Sequence, residues 1–491
     1  MKSRISFIRA SAAGFLLSAL TAMASSAYAA DRLDWKKAEP ELKTILSGLV
    51  GINTSQPDGN ELDAVRYLYR QLNAENIDWD IYRKEPSRAN LVARLEGDGS
   101  GGRPLLLVAH VDTVGANPAE WSTNPFKAVE KDGVLYGRGV ADAKDMVALN
   151  MAVMLWLKRS GVQLTRDVIM LVTADEENGG LRGIRWIMDK HWNSLNAGFA
   201  LNAGGGALLG SDGKPNTILV GVAEKMYMDI KLTAHGVAAH SSVPPADSTI
   251  YKLARALARA QAYNPGYRLT DTTRKFFRGI YPFQNEDAKT TIDLLLSGSQ
   301  VSEQQAAAAI ASDPFFNSQL RDTLVPTIVA GGYAANVIPA EAAVVLNCRL
   351  LPDTNPDEFI AGLRAAIADD GISITVLEEP RLPFPAPMKM DDELFASITT
   401  AGSELIAGSK VVGAMLSGVT DSEYLRRRGV ITYGLGPMSG QENSVNIHGV
   451  NERLSLQDYY SHFKLLYSVV HEFVSRRPEG GSTAAVPPSA R

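Results

Sequence analysis

Hydrophobic positions recur at helical spacing from Trp35 to Asn73, and then the period changes. "EPSRANLVARLEG" reads as strand, and "RPLLLVAHVDTV" is a continuous apolar run, as in a strand covered on both faces. "MVALNMAVMLWLKRSG" follows as a helix ended by Gly161, "RDVIMLVTADEE" as a second buried strand, and "GGLRGIRWIMDKHW" as the next helix. Strands alternating with helices describe an open α/β sheet, which binds ligands at the carboxyl ends of its strands. Near residue 222 the pattern shifts. "KMYMDIKLTAHG" alternates like a half-exposed antiparallel strand, "STIYKLARALARAQAY" is helical, and residues 266–325 read as an irregular, partly helical insertion. Strands in "TIVAGGYAANVIP", "AAVVLNCRLLP" and "ISITVL" and a helix in "NPDEFIAGLRAAIAD" complete an α+β module. The α/β pattern returns in "GVITYGLGP" and the helix "LQDYYSHFKLLYSVVHEF". The expected architecture is an α/β, mainly parallel-sheet domain formed by residues 30–222 and 380–478. Into it is inserted, over residues 223–379, a module of two helices on an antiparallel sheet, and residues 479–491 are expected to be a disordered tail.

Residues 1–29 fall outside this pattern. Lys2, Arg4 and Arg9 form a positive start, "AAGFLLSALTAMA" a short apolar core, and "AYAA" a small-residue cleavage site after Ala29. This is a secretory signal-peptide pattern, too short for a membrane span, and it predicts a periplasmic or secreted protein. No later stretch reads as transmembrane, so no membrane partner is expected after cleavage. The net charge of −5 becomes about −8 without the three leader cations, which argues against a nucleic-acid partner. Cys348 is the single cysteine, so an internal disulfide is excluded; its apolar setting reads as core rather than as a thiol nucleophile.

Candidate chemistry gathers at strand ends. His110 and Asp112, two apart on a strand, share one side of the sheet rim, where the carboxylate can brace an imidazole that binds a metal. Alone, this pair reads more readily as a surface or satisfied histidine than as a ligand and its brace. In "LYGRGVADAKDM", Asp142 precedes a helix and is either a bridging carboxylate or a helix cap. "TADEENGG" sets Glu176 beside Glu177. Adjacent acids after a buried strand are costly unless a cation is near, and their repulsion raises one pKa toward the range of a general base. The alternative is an exposed acidic turn. "NIHGVNER" supplies His448, which by itself is a loop histidine.

In this order, "AHVDTV", "GRGVADAKD", "TADEE" and "IHGVNER" resemble the acetylornithine deacetylase, succinyl-diaminopimelate desuccinylase and glutamate carboxypeptidase family of zinc hydrolases, which includes aminoacylases and carboxypeptidase S. The resemblance covers nearly the whole chain after the leader. "VAEKMYMDIKLTAHG" is most similar to the carboxypeptidase S and N-acyl amino acid hydrolase branch. The resemblance implies two Zn2+ ions bridged by Asp142, one held by His110 and the other by Glu177 and His448. It makes Glu176 the general base and Asp112 the residue that orients His110. It casts His240, in "GVAAHSSVP", as an oxyanion donor that often reaches a partner subunit's site. Asn336 in "ANVIP" and Arg349 in "NCRLLP" would hold a substrate carboxylate, and "SGVTDS" would be a substrate loop with Gly418 and Asp421. A cis peptide after Asp142 and a homodimer through the inserted module are also implied. The expected substrates are small peptides or N-acyl amino acids with a free carboxylate.

One position departs from that pattern. "FALNAGGGAL" has Ala203 where an acidic ligand for the His110 ion is expected, with Asn202 a poor substitute. Catalytic zinc normally has three protein ligands. The chain would then run on one tight zinc, or recruit another carboxylate, or be a catalytically impaired periplasmic binding protein on the same fold. A passive, dimer-forming structural module is the remaining alternative.

Overall fold

A computed structural model of the chain describes residues 33–210, 212–378, 380, 382–438 and 446–476. The expected signal peptide (1–29) and tail (479–491) lie outside the described residues.

A nine-stranded sheet organises the larger body. Its spatial order is Asp78–Arg83, Ala89–Leu95, Val168–Thr173, Leu105–His110, Phe199–Ala203, Ile431–Leu435, Pro215–Glu224 and Lys410–Leu416, with Gly205–Leu209 paired beside Pro215–Glu224. Leu105–His110 runs parallel to both neighbours. Ile431–Leu435 is parallel to Phe199–Ala203, and Lys410–Leu416 to Pro215–Glu224. The remaining pairings are antiparallel, so the sheet is mixed, with a parallel run from Val168–Thr173 to Ile431–Leu435 at its centre and a parallel pair at one edge. The antiparallel margin has a local cause: Asp78–Arg83 and Ala89–Leu95 are joined by a short turn, which cannot make a parallel crossover.

The central strands are buried on both faces because helices cover both. Leu105, Leu107 and Ala109 face one core with residues of the helices Trp35–Val50, Lys144–Ser160 and Leu456–Ser475. Leu106 and Val108 face a second core with Ile184, Ile187 and Leu425. This period-two division is why the run has no polar residue until His110. Each fully buried Leu contributes roughly 1.5–3 kcal/mol of transfer free energy, which fixes the strand end firmly. The helix Lys144–Ser160 stops at Gly161, whose φ of 64° is the left-handed conformation a glycine adopts at low cost.

The second body is a four-stranded antiparallel sheet in the order Thr323–Gly331, Glu341–Leu350, Met226–His235, Ile372–Glu378. Met226, Met228, Ile230, Leu232 and Cys348 pack on the helices Thr249–Ala262 and Pro356–Ile367. Cys348 is core, and burial pushes its thiol up to about 12. Alternation puts Tyr227, Asp229, Asn347 and Arg349 on the opposite face.

The segment expected to be irregular is four helices: Asp271–Ile280, Glu286–Leu295, Gln300–Ile310 and Pro314–Leu320. They do not join the four-stranded sheet. Phe276, Phe277 and Ile280 pack with Leu219, Val412 and Ala414 of the large sheet, and Gln319 Nε2 donates to Met415 O at 2.9 Å. No helix among the described residues is long and apolar enough to cross a membrane.

Candidate active site

His110 is the last residue of its strand, at the carboxyl edge of the large sheet. Its Nε2 lies 3.0 Å from Asp142 Oδ1. Asp142 Oδ2 in turn lies 3.2 Å from His448 Nε2, which is 3.0 Å from Glu177 Oε2. Asp142 therefore stands between two imidazoles, one on each oxygen. The peptide that follows it is cis.

Glu176 and Glu177 do not continue the strand. Val168–Thr173 ends, Asp175 takes a left-handed φ of 64°, and the two acids occupy the short 3-10 turn Glu176–Asn178. The loop then folds back so tightly that a Cβ at Gly183 would fall 1.8 Å from Ala174 O. That approach requires glycine at 183, and Gly179 and Gly180 before it take left-handed φ values of 83° and 67°. The turn sends Glu177 to His448 and leaves Glu176 Oε2 at 3.9 Å from His110 Nε2.

Asp112, fully buried, does more than the sequence suggests. The nearer partner of His110 Nδ1 is the backbone oxygen of Asp112 at 3.1 Å; the side-chain Oδ1 is at 3.5 Å. The carboxylate accepts from Glu176 N at 3.0 Å, Glu177 N at 3.2 Å and Gln56 Nε2 at 2.8 Å. One residue thus orients the histidine and pins the turn carrying both acids.

The charges are strongly coupled. Burial works against charge on Asp142, yet the bonds from His110 and His448 hold its carboxyl below the ordinary value. Burial raises Glu176 well above the usual carboxylate range; His110 opposes the rise, and Asp421, Glu177 and Asp142 add to it. The bond to Asp142, then that to Glu177, raise His448 to about 10. Burial opposes the charge on His110, but Glu176, Asp112 and Asp142 together keep its pKa well above 6.5.

Two imidazoles and two carboxylates converging without a lysine or arginine between them form a nitrogen–oxygen donor set suited to a divalent cation. One atom each of His110, Asp142 and Glu177 lie within 4.8 Å of one another. The residues fit a metal centre. The neighbouring carboxylates favour the charged form of both imidazoles, raising His448 to about 10, whereas a ligating imidazole must be neutral. Adding a divalent cation at pH 7 is therefore expected to release protons, that of His448 among them, with affinity rising as the pH increases toward 10. Calorimetry in buffers of different ionisation enthalpy measures this, and uptake of the metal without proton release would show that the histidines are not ligands.

The other expected residues are placed as follows. Ala203 ends its strand and offers no donor. Asn202 is committed elsewhere: its Oδ1 accepts from Ala203 N at 2.8 Å, and its Nδ2 donates to Ser422 Oγ at 3.0 Å. Asp421 is buried and accepts from Thr173 Oγ1 at 2.6 Å. Gly418 faces open space, with no atom within 4 Å of a would-be Cβ. His240, exposed on the short strand Ala239–His240, has its Nδ1 2.8 Å from Ser242 Oγ and makes no described contact with the metal cluster. Asn336 is exposed on the adjoining turn, where its carbonyl accepts from Ser241 N at 3.0 Å. Arg349 lies on the four-stranded sheet, near enough for Glu176's charge to act on it.

A buried support behind the cluster is not singled out by the sequence pattern. Arg88 pairs with Asp175 at 2.8 Å and Glu61 at 3.2 Å, and donates to Gln56 Oε1 at 3.0 Å. Glu452 accepts from Arg138 Nη1 at 2.6 Å and from the backbone of Gly139 and Ala141, so it ties the Asp142 turn to the His448 loop. No sequence signal marked either residue: "EPSRANL" opens with three exposed residues, and in "IHGVNER" Glu452 alone is buried.

Comparison with known proteins places the chain in a family. The family model described as Peptidase family M20/M25/M40 matches residues 106–472. The human N-fatty-acyl-amino acid synthase/hydrolase PM20D1 is 28% identical over 388 residues, covering 77% of this chain and 75% of that protein. A probable succinyl-diaminopimelate desuccinylase of Staphylococcus aureus is 27% identical over 392 residues, covering 78% of this chain and 87% of the relative. The dipeptidase Dug1p of Saccharomyces cerevisiae has the same fold, with a TM-score of 0.68 at 15% identity over 89% of this chain and 96% of that one. The chain belongs to peptidase family M20/M25/M40 and is a metal-dependent hydrolase of amide or peptide bonds.

Proposed function

We propose that the protein is a zinc hydrolase of small substrates with a free C-terminal carboxylate: an N-acyl amino acid, a dipeptide or a peptide C-terminus. The observation that carries this reading is the convergence of His110, Asp142, Glu177 and His448, with Glu176, a carboxyl whose pKa burial raises, beside them at 3.9 Å from His110 Nε2. His110, Asp142, Glu177 and His448 would hold the metal, which when bound acidifies water and polarises the scissile carbonyl. Glu176 takes the proton of the attacking water and delivers it to the leaving nitrogen. Asp112 keeps His110 and the Glu176 turn in register. Arg349 and Asn336 receive the carboxylate, with the Gly418 loop alongside. His240, which makes no contact with its own cluster, supplies an oxyanion donor to a partner subunit. The edge strand Thr323–Gly331, with Val325, Ile328 and Val329 exposed, supports such a dimer through the inserted module. The N-terminal leader pattern places the enzyme in the periplasm or outside the cell.

A panel of N-acyl amino acids and dipeptides, assayed with added zinc and metal analysis on one sample, tests the reading; hydrolysis confined to substrates lacking a carboxylate would overturn it. The donor set also predicts unequal metal sites, since neither Ala203 nor Asn202 can complete the His110 side. Ala203→Glu is expected to raise bound zinc from about one toward two per chain. Two tightly held ions in the unaltered protein would contradict that asymmetry.

A further inference from the structure

Arg349 is held by an arrangement that the site so far described does not use. Its Nε donates to Asn347 Oδ1 at 3.0 Å, and its guanidinium carbon lies 4.6 Å from the centre of the Tyr227 ring. Asn347 Nδ2 donates to Asp229 Oδ1 at 2.8 Å, and the Tyr227 hydroxyl donates to Asp229 Oδ2 at 2.6 Å. Tyr227 is the cross-strand partner of Arg349, and Asp229 that of Asn347, so two rungs of one ladder carry the whole group.

The consequence for Arg349 is specific. Among the described residues its two terminal nitrogens have no hydrogen-bond or ion-pair partner. Asp229 is the nearby carboxylate, but Asn347 and Tyr227 occupy its two oxygens. Asn347, a neutral amide, passes the attraction of Asp229 to the guanidinium without closing an ion pair. The fork is thereby oriented, stacked on a ring and left with its outer edge open, the geometry that takes a planar anion through two parallel bonds.

We infer that Tyr227, Asp229 and Asn347 are positioning residues that preset the Arg349 fork for the substrate's carboxylate, so that this cradle sets the preference for a free carboxyl terminus. The inference rests on the reading of Arg349 as the carboxylate receptor. Without Asn347, Asp229 is released to pair directly with Arg349 and compete with substrate.

The test uses whichever compound of the N-acyl amino acid and dipeptide panel is hydrolysed fastest, together with the same compound carrying a C-terminal carboxamide. Asn347→Leu is expected to raise KM for the acid ~10-fold, and Tyr227→Phe, which keeps the ring and loses only the hydroxyl, ~3-fold. For both variants kcat and the carboxamide KM stay within about twofold of the parent. Arg349→Met is the control. If it abolishes the preference for the acid while the other two variants leave it unchanged, the positioning role is wrong and the receptor reading stands. Equal rises in KM for acid and carboxamide would likewise overturn the positioning role. If Arg349→Met keeps the preference, the receptor reading fails and takes this inference with it.

Discussion

Glu176→Ala retains its metal and loses hydrolysis by about a thousandfold or more, the upper part of the range for removing a general acid–base. The expectation follows from where Glu176 stands. It neighbours the cluster at 3.9 Å from His110 Nε2, whereas His448 Nε2 lies 3.2 Å from Asp142 and 3.0 Å from Glu177. Glu176 takes no part in the contacts among His110, Asp142, His448 and Glu177, so its removal leaves that donor set intact. Turnover and metal content measured on the same preparation decide the matter. A variant with near-normal rates would remove Glu176 from the chemistry, and one that loses the metal would make it a ligand instead.

The second large effect concerns stability. Arg88→Met is expected to destabilise the fold by about 3–5 kcal/mol, because it strands the fully buried Glu61 without its counter-charge and leaves the buried Asp175 only the longer contact to Arg182. The loss has a defined pH dependence. Burial already raises Glu61 from 4.5 to about 7, with Arg88 pulling the other way. A carboxyl raised on folding gives stability that is present below its unfolded pKa and lost as the pH rises through its folded value. Without Arg88 the folded value climbs further, so the deficit should be larger at pH 8 than at pH 5. Thermal midpoints of parent and variant at the two pH values measure it. A deficit that does not change with pH would mean that Glu61 is not the group left uncompensated. Arg88 also reaches Asp112 through Gln56, so the variant should lose activity at temperatures where it remains folded.

Much of this site was legible in the chain. Periodicity located the strands that end at His110 and Thr173, and the four polar motifs mark the residues that meet around Asp142. Three features were not legible, each for a physical reason. The turn that separates Glu176 from Glu177 depends on the left-handed Asp175 and the close approach at Gly183, which a strand pattern does not encode. The clasps made by Arg88 and Glu452 join residues far apart in sequence, and a buried charge looks like a surface charge until its partner is known. The helices between residues 271 and 320 carry apolar residues that match either sheet, so their choice of the large one is a tertiary decision.

That choice governs how the two bodies can move. The polypeptide passes from the large sheet to the small one after Glu224, comes back to it with the helices that start at Asp271, leaves again between Leu320 and Thr323, and returns for good after Glu378. Four straps therefore join the bodies, where a plain insertion would have two. A plate hung from two adjacent cords can twist and tilt freely; one hung from four can swing only about the line on which all the attachments stay at constant length. Four connections therefore hold the sheet that carries Arg349 against the body that carries His110 and Asp142 more rigidly than two would.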